Sequence, residues 1–393
     1  MSMIAFTFPG QGSQKPGMGR PWVDHPSWEL VAEASEATDR DVAHLLLEAE
    51  ADELTATRNA QLGTFVLSLV VLDAVERTGV DAARLAGHSL GEYTALTAAG
   101  ALSFEDGVRL VAERGEAMQV AAEERVGTMA AVLGLDDDLV DVACHSVDGD
   151  VWVANFNAPG QVVIAGDPDA IKAAAEAAKG LGARKVLPVK VSGAFHTPYM
   201  APARDRLRKA LAETELRDLE VPVVANVDAR QHERGAEWAN LLAAQLCSPV
   251  RWRQTLHTLA DGGVTTFVEV GPGTVLTGMA TRTVTGARAL SVSTPGDLDH
   301  LLEDLSGRPP VAVFPEGEHL FSSERLVVSP ATGVFIPTTP VRPGGRIEAG
   351  EVVGLVGDDE VRTPFTGTLM GLMAYEGERV TASQPVAWLR AHG

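Results

Sequence analysis

The chain has 393 residues, 45% apolar and 22% charged, enough for two or three domains with cores of their own. That excludes a disordered tail, a coiled-coil rod and a disulfide mini-protein. Asp and Glu outnumber Lys and Arg by 53 to 32, a formal charge of −21, and a field of that sign does not suit sequence-independent binding of nucleic acid.

The two cysteines, Cys144 and Cys247, lack zinc spacing, so no metal site is expected and a reducing compartment is. The longest apolar run, around Phe65 to Val75, reads as too short to cross a bilayer. The N-terminal MSMIAFTFPGQGSQ has no basic region or cleavage site and reads as a strand entering a glycine loop. The expectation is a cytoplasmic protein with neither a membrane nor a nucleic acid as partner.

In chain order, Ile4 to Phe8 predicts a strand, Trp28 to Glu50 a helical stretch and Asn59 to Thr78 a long apolar helix. Leu85 and Ala86 then lead into GHSLGEYTALTAAGAL, a short strand, a sharp turn and a buried helix. Such alternation implies a mainly parallel sheet covered by helices. From Thr128 the rhythm changes. TMAAVLGL reads as a strand, DDDLVDVACHS as a helix, and VWVANFN and QVVIAGD as strands joined through Ala158-Pro159-Gly160. PDAIKAAAEAAKGLG is a helix opened by Asp-Pro and closed by Gly, and RKVLPVKV a last strand. The order β-α-β-β-α-β is that of a ferredoxin-like unit. It reads as an insertion over 127–191 within a core of 1–126 and 192–308, because alternation resumes after His196 with VPVVANV, a helix through Trp238 to Leu246, and TTFVEVGPG.

A Pro-rich linker is expected over 309–324. Beyond it, residues 325–393 contain no lysine and little helical periodicity. They hide a repeat: Gly344 to Glu351 matches Gly377 to Gln384 at an offset of 33, and Ser329 to Gly333 matches Thr363 to Gly367 at 34. Two β units with shared turn chemistry predict a small barrel of quasi-two-fold symmetry, its halves linked by a hairpin tip at Gly357-Asp358-Asp359-Glu360. Met370, Met373 and Trp388 read as barrel core.

The most informative segment is Gly87-His88-Ser89-Leu90-Gly91, a G-x-S-x-G between a strand and a helix. The turn exposes the Ser89 hydroxyl, and the following helix aims its N-terminal amides at the same place. A serine nucleophile needs a base, and among ten histidines the best placed is His196, where the inserted unit rejoins the core. Acyl transfer also needs an oxyanion hole, for which the Leu90 N–H and, in the GQGSQ loop, the Gln11 N–H are candidates. That loop fits neither a dinucleotide fingerprint nor a P-loop.

Together these residues resemble the malonyl-CoA:acyl-carrier-protein transacylases. The likeness covers about residues 1 to 290 and rests on FPGQGSQ with a following GMG, GHSLGEYTAL, AERGEAMQ, ANFNAPGQVVIAG, GAFHTPYM, SPVRW and EVGPGTVLTGM, in that order. It implies an α/β fold, an α/β-hydrolase-like core with a ferredoxin-like insertion. It implies Ser89 as the acylated nucleophile, His196 as general base, and Gln11 and Leu90 as oxyanion donors. Arg114 resembles the arginine that pairs with the malonyl carboxylate, and Gln61 a polar residue of the acyl pocket. Phe195 resembles the malonyl-selective form of its motif, an aromatic wall against an α-methyl branch. A backbone carbonyl from the segment matching SPVRW, Ser248 to Arg251, is expected to orient the histidine.

The implied reaction moves a malonyl group from CoA to the phosphopantetheine thiol of an acyl carrier protein, in fatty-acid or polyketide synthesis, with malonyl-CoA as substrate and no tightly bound cofactor. An editing acyl hydrolase on the same scaffold, or a carrier-docking scaffold, are the competing readings. Arg184, Lys185 and Lys190, with Arg204, Arg206, Arg208 and Lys209, offer a basic patch for an acidic carrier. Residues 325–393 resemble a biotinyl/lipoyl carrier domain through SPATGVF, G-x-R-[IV]-x-A and TPFTGTLMGLMAYEGE. With no lysine at the tip, no biotin or lipoate attachment is expected, which leaves a docking or oligomerisation unit or an inert stabilising appendage.

Overall fold

The computed structural model describes residues 3–191, 193–306, 324–338, 344–357, 359–375, 377–382 and 384–391. The expected linker therefore lies, but for Glu324, outside the described residues, as does Asp358 of the hairpin tip. The chain forms two compact units, one of residues 1–74 and 81–307, the other of 75–80 and 308–393.

The first unit begins with β1 (Met3–Phe8), whose last four residues are all buried, as in a strand covered on both faces. The helical stretch expected from Trp28 to Glu50 is divided into separate helices. Its first helix, α1 (Glu29–Thr38), ends at Asp39, which turns to a left-handed φ of 52°. Asp41 then caps α2 (Val42–Leu47), its carboxylate accepting from the His44 N–H at 2.8 Å. The short α3 (Ala51–Thr55) leads into α4 (Thr57–Glu76). At 20 residues α4 is long and apolar enough to span a bilayer, which corrects the length read from the apolar run alone. Its most apolar stretch is 83% buried inside the protein, as in a core helix.

Next come β2 (Arg84–Gly87), α5 (Gly91–Ala98) and α6 (Phe104–Glu124). The inserted unit then runs β3 (Thr128–Leu133), α7 (Asp137–His145), β4 (Val151–Ala158), β5 (Gln161–Gly166), α8 (Pro168–Gly180) and β6 (Lys185–Val189), the order read from sequence. Its antiparallel sheet is arranged β4-β5-β3-β6, and Gly160 makes the β4–β5 turn at a φ of 65°. Val132, Val153 and Ile164 of the sheet pack with Val140, Ile171 and Ala174 of α7 and α8.

The core resumes with α9 (Ala201–Glu213), β7 (Val223–Val224), β8 (Gln231–His232), α10 (Gly235–Gln245), α11 (Trp252–Asp261), β9 (Val264–Val270), α12 (Val275–Thr283), β10 (Arg288–Val292) and α13 (Gly296–Ser306). Of the strand expected in VPVVANV only two residues pair. The core sheet is β10-β9-β1-β2-β7-β8, parallel except for β8 at the edge. The carboxyl ends of β1 and β2 lie side by side, where open parallel sheets bind ligands. The inserted sheet is tied to this core by backbone: the Val250 N–H donates to Ala154 O and the Phe156 N–H to Val250 O, each at 2.9 Å.

The second unit, described by itself, holds β11 (Glu324–Val328), β12 (Gly333–Pro337), β13 (Arg346–Ile347), β14 (Val352–Val356), β15 (Asp359–Arg362), β16 (Gly367–Leu372), β17 (Arg379–Val380) and β18 (Pro385–Ala391). They form two antiparallel sheets, β11-β18-β16-β13 and β15-β14-β12-β17. The repeat found in sequence recurs in the bonds. Ser329 Oγ accepts from the Ala331 N–H and donates to its carbonyl, as Thr363 Oγ1 does with Phe365. The Glu348 N–H donates to the Glu351 side chain as the Thr381 N–H does to that of Gln384, both at 3.0 Å. Val327, Phe335, Val353, Val361, Leu369 and Val386 belong to one buried cluster. Met373, expected inside, is half exposed, and Met370 and Trp388 are only partly buried; smaller branched side chains fill this interior instead.

Candidate active site

The elbow follows directly from the residue sizes. A Cβ on Gly87 would lie 1.8 Å from the Gly91 carbonyl, and one on Gly91 would lie 2.1 Å from Phe8 O, so strand and helix approach this closely only because both positions are glycine. Between them Ser89 is held at φ 51°, in the left-handed region. Asn226, just after β7, braces the turn: its Oδ1 accepts from the Ser89 N–H and its Nδ2 donates to Gly87 O, both at 2.7 Å.

His196 also has positive φ, 61°, in the loop leading from the inserted unit to α9. Its Nε2 lies 2.8 Å from Ser89 Oγ and its Nδ1 2.9 Å from Gln245 O. A carbonyl only accepts, so Nδ1 carries the proton and Nε2 presents its lone pair to the serine. The imidazole is buried, and that burial pushes its pKa down to about 3 against the opposing pull of the Gln245 carbonyl, with Arg114 and His88 adding to the fall.

The orienting carbonyl is thus not in Ser248 to Arg251. Gln245 is the last residue of α10, where carbonyls run out of helical partners, so its oxygen is available to the ring. Ser248 instead turns its N–H back toward Gln245 O at 3.5 Å. The Arg251 carbonyl accepts from the Thr255 N–H at 2.9 Å, in the first turn of α11.

Arg114, on α6, is 1% exposed. Its Nη1 donates to Gln61 Oε1 at 2.5 Å, and its Nη2 to Gln245 Oε1 at 2.8 Å and to Ser89 Oγ at 3.1 Å. All three acceptors are neutral. Burial lowers its pKa, opposed by Tyr93, whose ring centre lies 5.1 Å from the guanidinium carbon, and by Glu92. Gln61 is fully buried, and its Nε2 lies 3.3 Å from Met118 Sδ. Contrary to the expectation for Gln61, neither it nor Arg114 lines the cavity; Met118, which Gln61 touches, does.

A cavity of about 270 Å³ opens over Ser89 and His196, lined among others by Gln11, Met118, Met129, Asn155 and Phe195. Leu90 contributes no side chain to it, being fully buried at the start of α5. Among the described residues the Gln11 and Leu90 N–H groups meet no acceptor. His88 also borders the cavity, but its Nε2 lies 2.9 Å from Asn157 Oδ1 and its ring is edge-on to Trp252. The basic patch is weaker than its sequence, since Arg204 and Arg208 are paired with Asp205 and Arg206 with Glu113.

Sequence reasoning missed Gln245 and Asn226. Each stands alone in its segment, and nothing in one sequence marks an amide at a helix end or after a two-residue strand as part of the site.

A mostly parallel sheet with a left-handed serine at a strand-to-helix turn, bonded to a buried histidine, defines an α/β protein with a serine–histidine site. The acyl transferase domain family matches residues 5–296, and the chain belongs to that family. It is 40% identical over 310 residues to the malonyl CoA-acyl carrier protein transacylase of Bacillus subtilis, covering 78% of this chain and 98% of that one. The crystal structure of an acyl-carrier-protein S-malonyltransferase from Burkholderia pseudomallei superposes with a TM-score of 0.74 at 41% identity, over 77% of this chain and 99% of that one. A type II PKS acyl-carrier protein in complex with its malonyl-transacylase gives 0.74 at 38% identity, over 77% and 100%.

Proposed function

We propose that the chain is an [acyl-carrier-protein] S-malonyltransferase, moving a malonyl group from CoA to the phosphopantetheine thiol of an acyl carrier protein. The observation that carries the reading is Arg114. It is a buried guanidinium with only neutral acceptors among its hydrogen bonds, and it reaches Ser89 Oγ. A carboxylate on the acyl group supplies an anion in direct contact, which Glu92, bonded to Gln245, does not, and a guanidinium matches it with two parallel bonds.

In the first half-reaction His196 Nε2 takes the Ser89 proton as Oγ attacks the thioester carbonyl of malonyl-CoA. The oxyanion is met by the Gln11 and Leu90 amides. The C–S bond breaks, the proton passes from His196 to the leaving CoA sulfur, and a malonyl-Ser89 ester remains. In the second half, His196 takes the proton of the carrier thiol, the sulfur attacks the ester, and Ser89 recovers its proton. The charge-bearing arginine beside the ester favours transfer over the competing hydrolase reading, because it holds the acyl group in one orientation. Phe195, in the cavity wall, restricts the space for an α-methyl branch.

The core is read as α/β-hydrolase-like, with the 127–191 insertion ferredoxin-like and 325–393 a biotinyl/lipoyl-like unit. The matched turns and sheets of its two halves support that reading of the last unit, and its lack of lysine leaves it a docking or oligomerisation module or an inert stabilising appendage. Intact-mass measurement after mixing with malonyl-CoA tests the function. The wild type gains one malonyl group, and a Ser89→Ala chain that still gains it refutes the mechanism.

A further inference from the structure

The acyl-transfer site is braced from behind by a carboxylate that takes no part in the chemistry above. Glu92 sits in the first turn of α5, three residues after the nucleophile, and is 1% exposed. Its Oε1 accepts from the Asn226 N–H and its Oε2 from Gln245 Nε2, both at 2.6 Å. Burying a carboxylate is costly unless its oxygens are satisfied, so two such short bonds mark a built arrangement.

We propose that Glu92 is a positioning residue for acyl transfer: by holding the Gln245 amide it sets the orientation of Arg114. The argument is one of hydrogen-bond polarity. Gln245 Nε2 has two protons and spends them on Glu92 Oε2 and on Ser89 O, the latter at 2.9 Å. Its Oε1 therefore has to face the other way, where it accepts from Arg114 Nη2 at 2.8 Å. Turning the amide over would set its oxygen against a carboxylate and a carbonyl, and its NH₂ against a guanidinium. The accepting Oε2 of Glu92 thus decides which end of Gln245 meets Arg114. The same carboxylate anchors the backbone of Asn226, whose side chain grips Ser89 and Gly87.

This rests on the malonyl-transfer reading and adds a residue that no contact with substrate would reveal. In Glu92→Gln the side chain keeps its shape. One end still accepts from the Asn226 backbone, which cannot turn, so an NH₂ then faces the Gln245 NH₂ and forces that amide over. The experiment is single-turnover loading of the full chain by malonyl-CoA and by acetyl-CoA, read by intact mass, with thermal unfolding alongside. The expected result is a loss of about tenfold or more with malonyl-CoA and a smaller loss with acetyl-CoA, because only the first uses Arg114. Equal losses with both donors, or none, overturn the proposal. Should Glu92→Gln fail to fold, Gln245→Met removes the same relay while keeping the backbone carbonyl for His196, and an unchanged malonyl-to-acetyl ratio there overturns it equally. A wild-type chain that neither thioester loads refutes the malonyl-transfer reading itself, and this proposal with it.

Discussion

Ser89 and His196, 107 positions apart, both hold a left-handed backbone, at φ 51° and 61°, and meet with Oγ and Nε2 2.8 Å apart. Neither residue type prefers that region. Strain at both members of a reacting pair means the surrounding fold, and not local preference, decides where they point.

Relief of the strain at Ser89 is measurable. Ser89→Ala and Ser89→Gly both abolish acylation, yet they differ in backbone freedom. The glycine variant is expected to be the more stable by about 0.5–1 kcal/mol, the left-handed cost outweighing the added freedom of its unfolded chain. Urea denaturation of the two variants checks it; equal midpoints would mean the turn is unstrained.

Arg114→Ala leaves Gln61 Oε1 and Gln245 Oε1 without their donor and removes the partner for the acyl carboxylate. A fall of about 10²–10³ in kcat/KM for malonyl-CoA is expected, with acetyl-CoA loading changed far less. Parallel losses for the two thioesters would refute its assignment as the carboxylate ligand.

His196 and Glu92 titrate in opposite senses. The His196 pKa, lowered from 6.5 to about 3, contributes stability that is complete above 6.5 and lost as pH falls toward 3. Burial raises that of Glu92 from 4.5 to about 7, against bonds from Asn226 and Gln245 and the charge of Arg114, with Asp228 adding to the rise. Its contribution is complete below 4.5 and lost as pH rises through 7. Between 4.5 and 6.5 the two slopes oppose each other. Glu92→Gln should therefore make stability climb more steeply with pH across that window, and His196→Gln should make it fall. Denaturant midpoints from pH 4.5 to 7 decide it, and two variants with the wild-type slope would count against both shifts.

Phe195→Ser opens the cavity wall beside the base. Loading by methylmalonyl-CoA relative to malonyl-CoA is expected to rise by about tenfold, the scale of one methyl group in a pocket. Competition between the two thioesters, read by intact mass, measures the ratio.

Every residue of the site lies in the first unit, and the Bacillus subtilis relative aligns over 98% of its own length with 78% of this chain. A chain ending at residue 308 should load malonyl within about threefold of the full rate, as expected for a domain with its own core. A truncated chain that folds but does not load would make the second unit part of the catalytic apparatus.

The turn at Ser89 was legible in the sequence because G-x-S-x-G puts glycine at the two positions where strand and helix approach too closely for a Cβ. The β-α-β-β-α-β insertion was legible from period and turn residues, and the repeat of the second unit from matched turns that proved to make matched bonds. The helical period over Trp28 to Glu50 did not show the break at Asp39, where a left-handed residue divides it into separate helices. Ser248 and Arg251 failed as the histidine's support because a pattern of residue types does not say where α10 stops, and it is the last carbonyl of that helix that counts.

Side-chain chemistry and its order along the chain determined which groups are available here: a serine on a turn, a histidine at a domain junction, an arginine on a helix. Only the packed structure decided that Gln245 joins histidine, arginine and serine, that Gln61 stays out of the cavity lining, and that Glu92 braces them. Hydrogen bonds between residues more than a hundred positions apart depend on how helices end and sheets stack. Those outcomes arise from burial summed over the whole core, which no short stretch of sequence encodes.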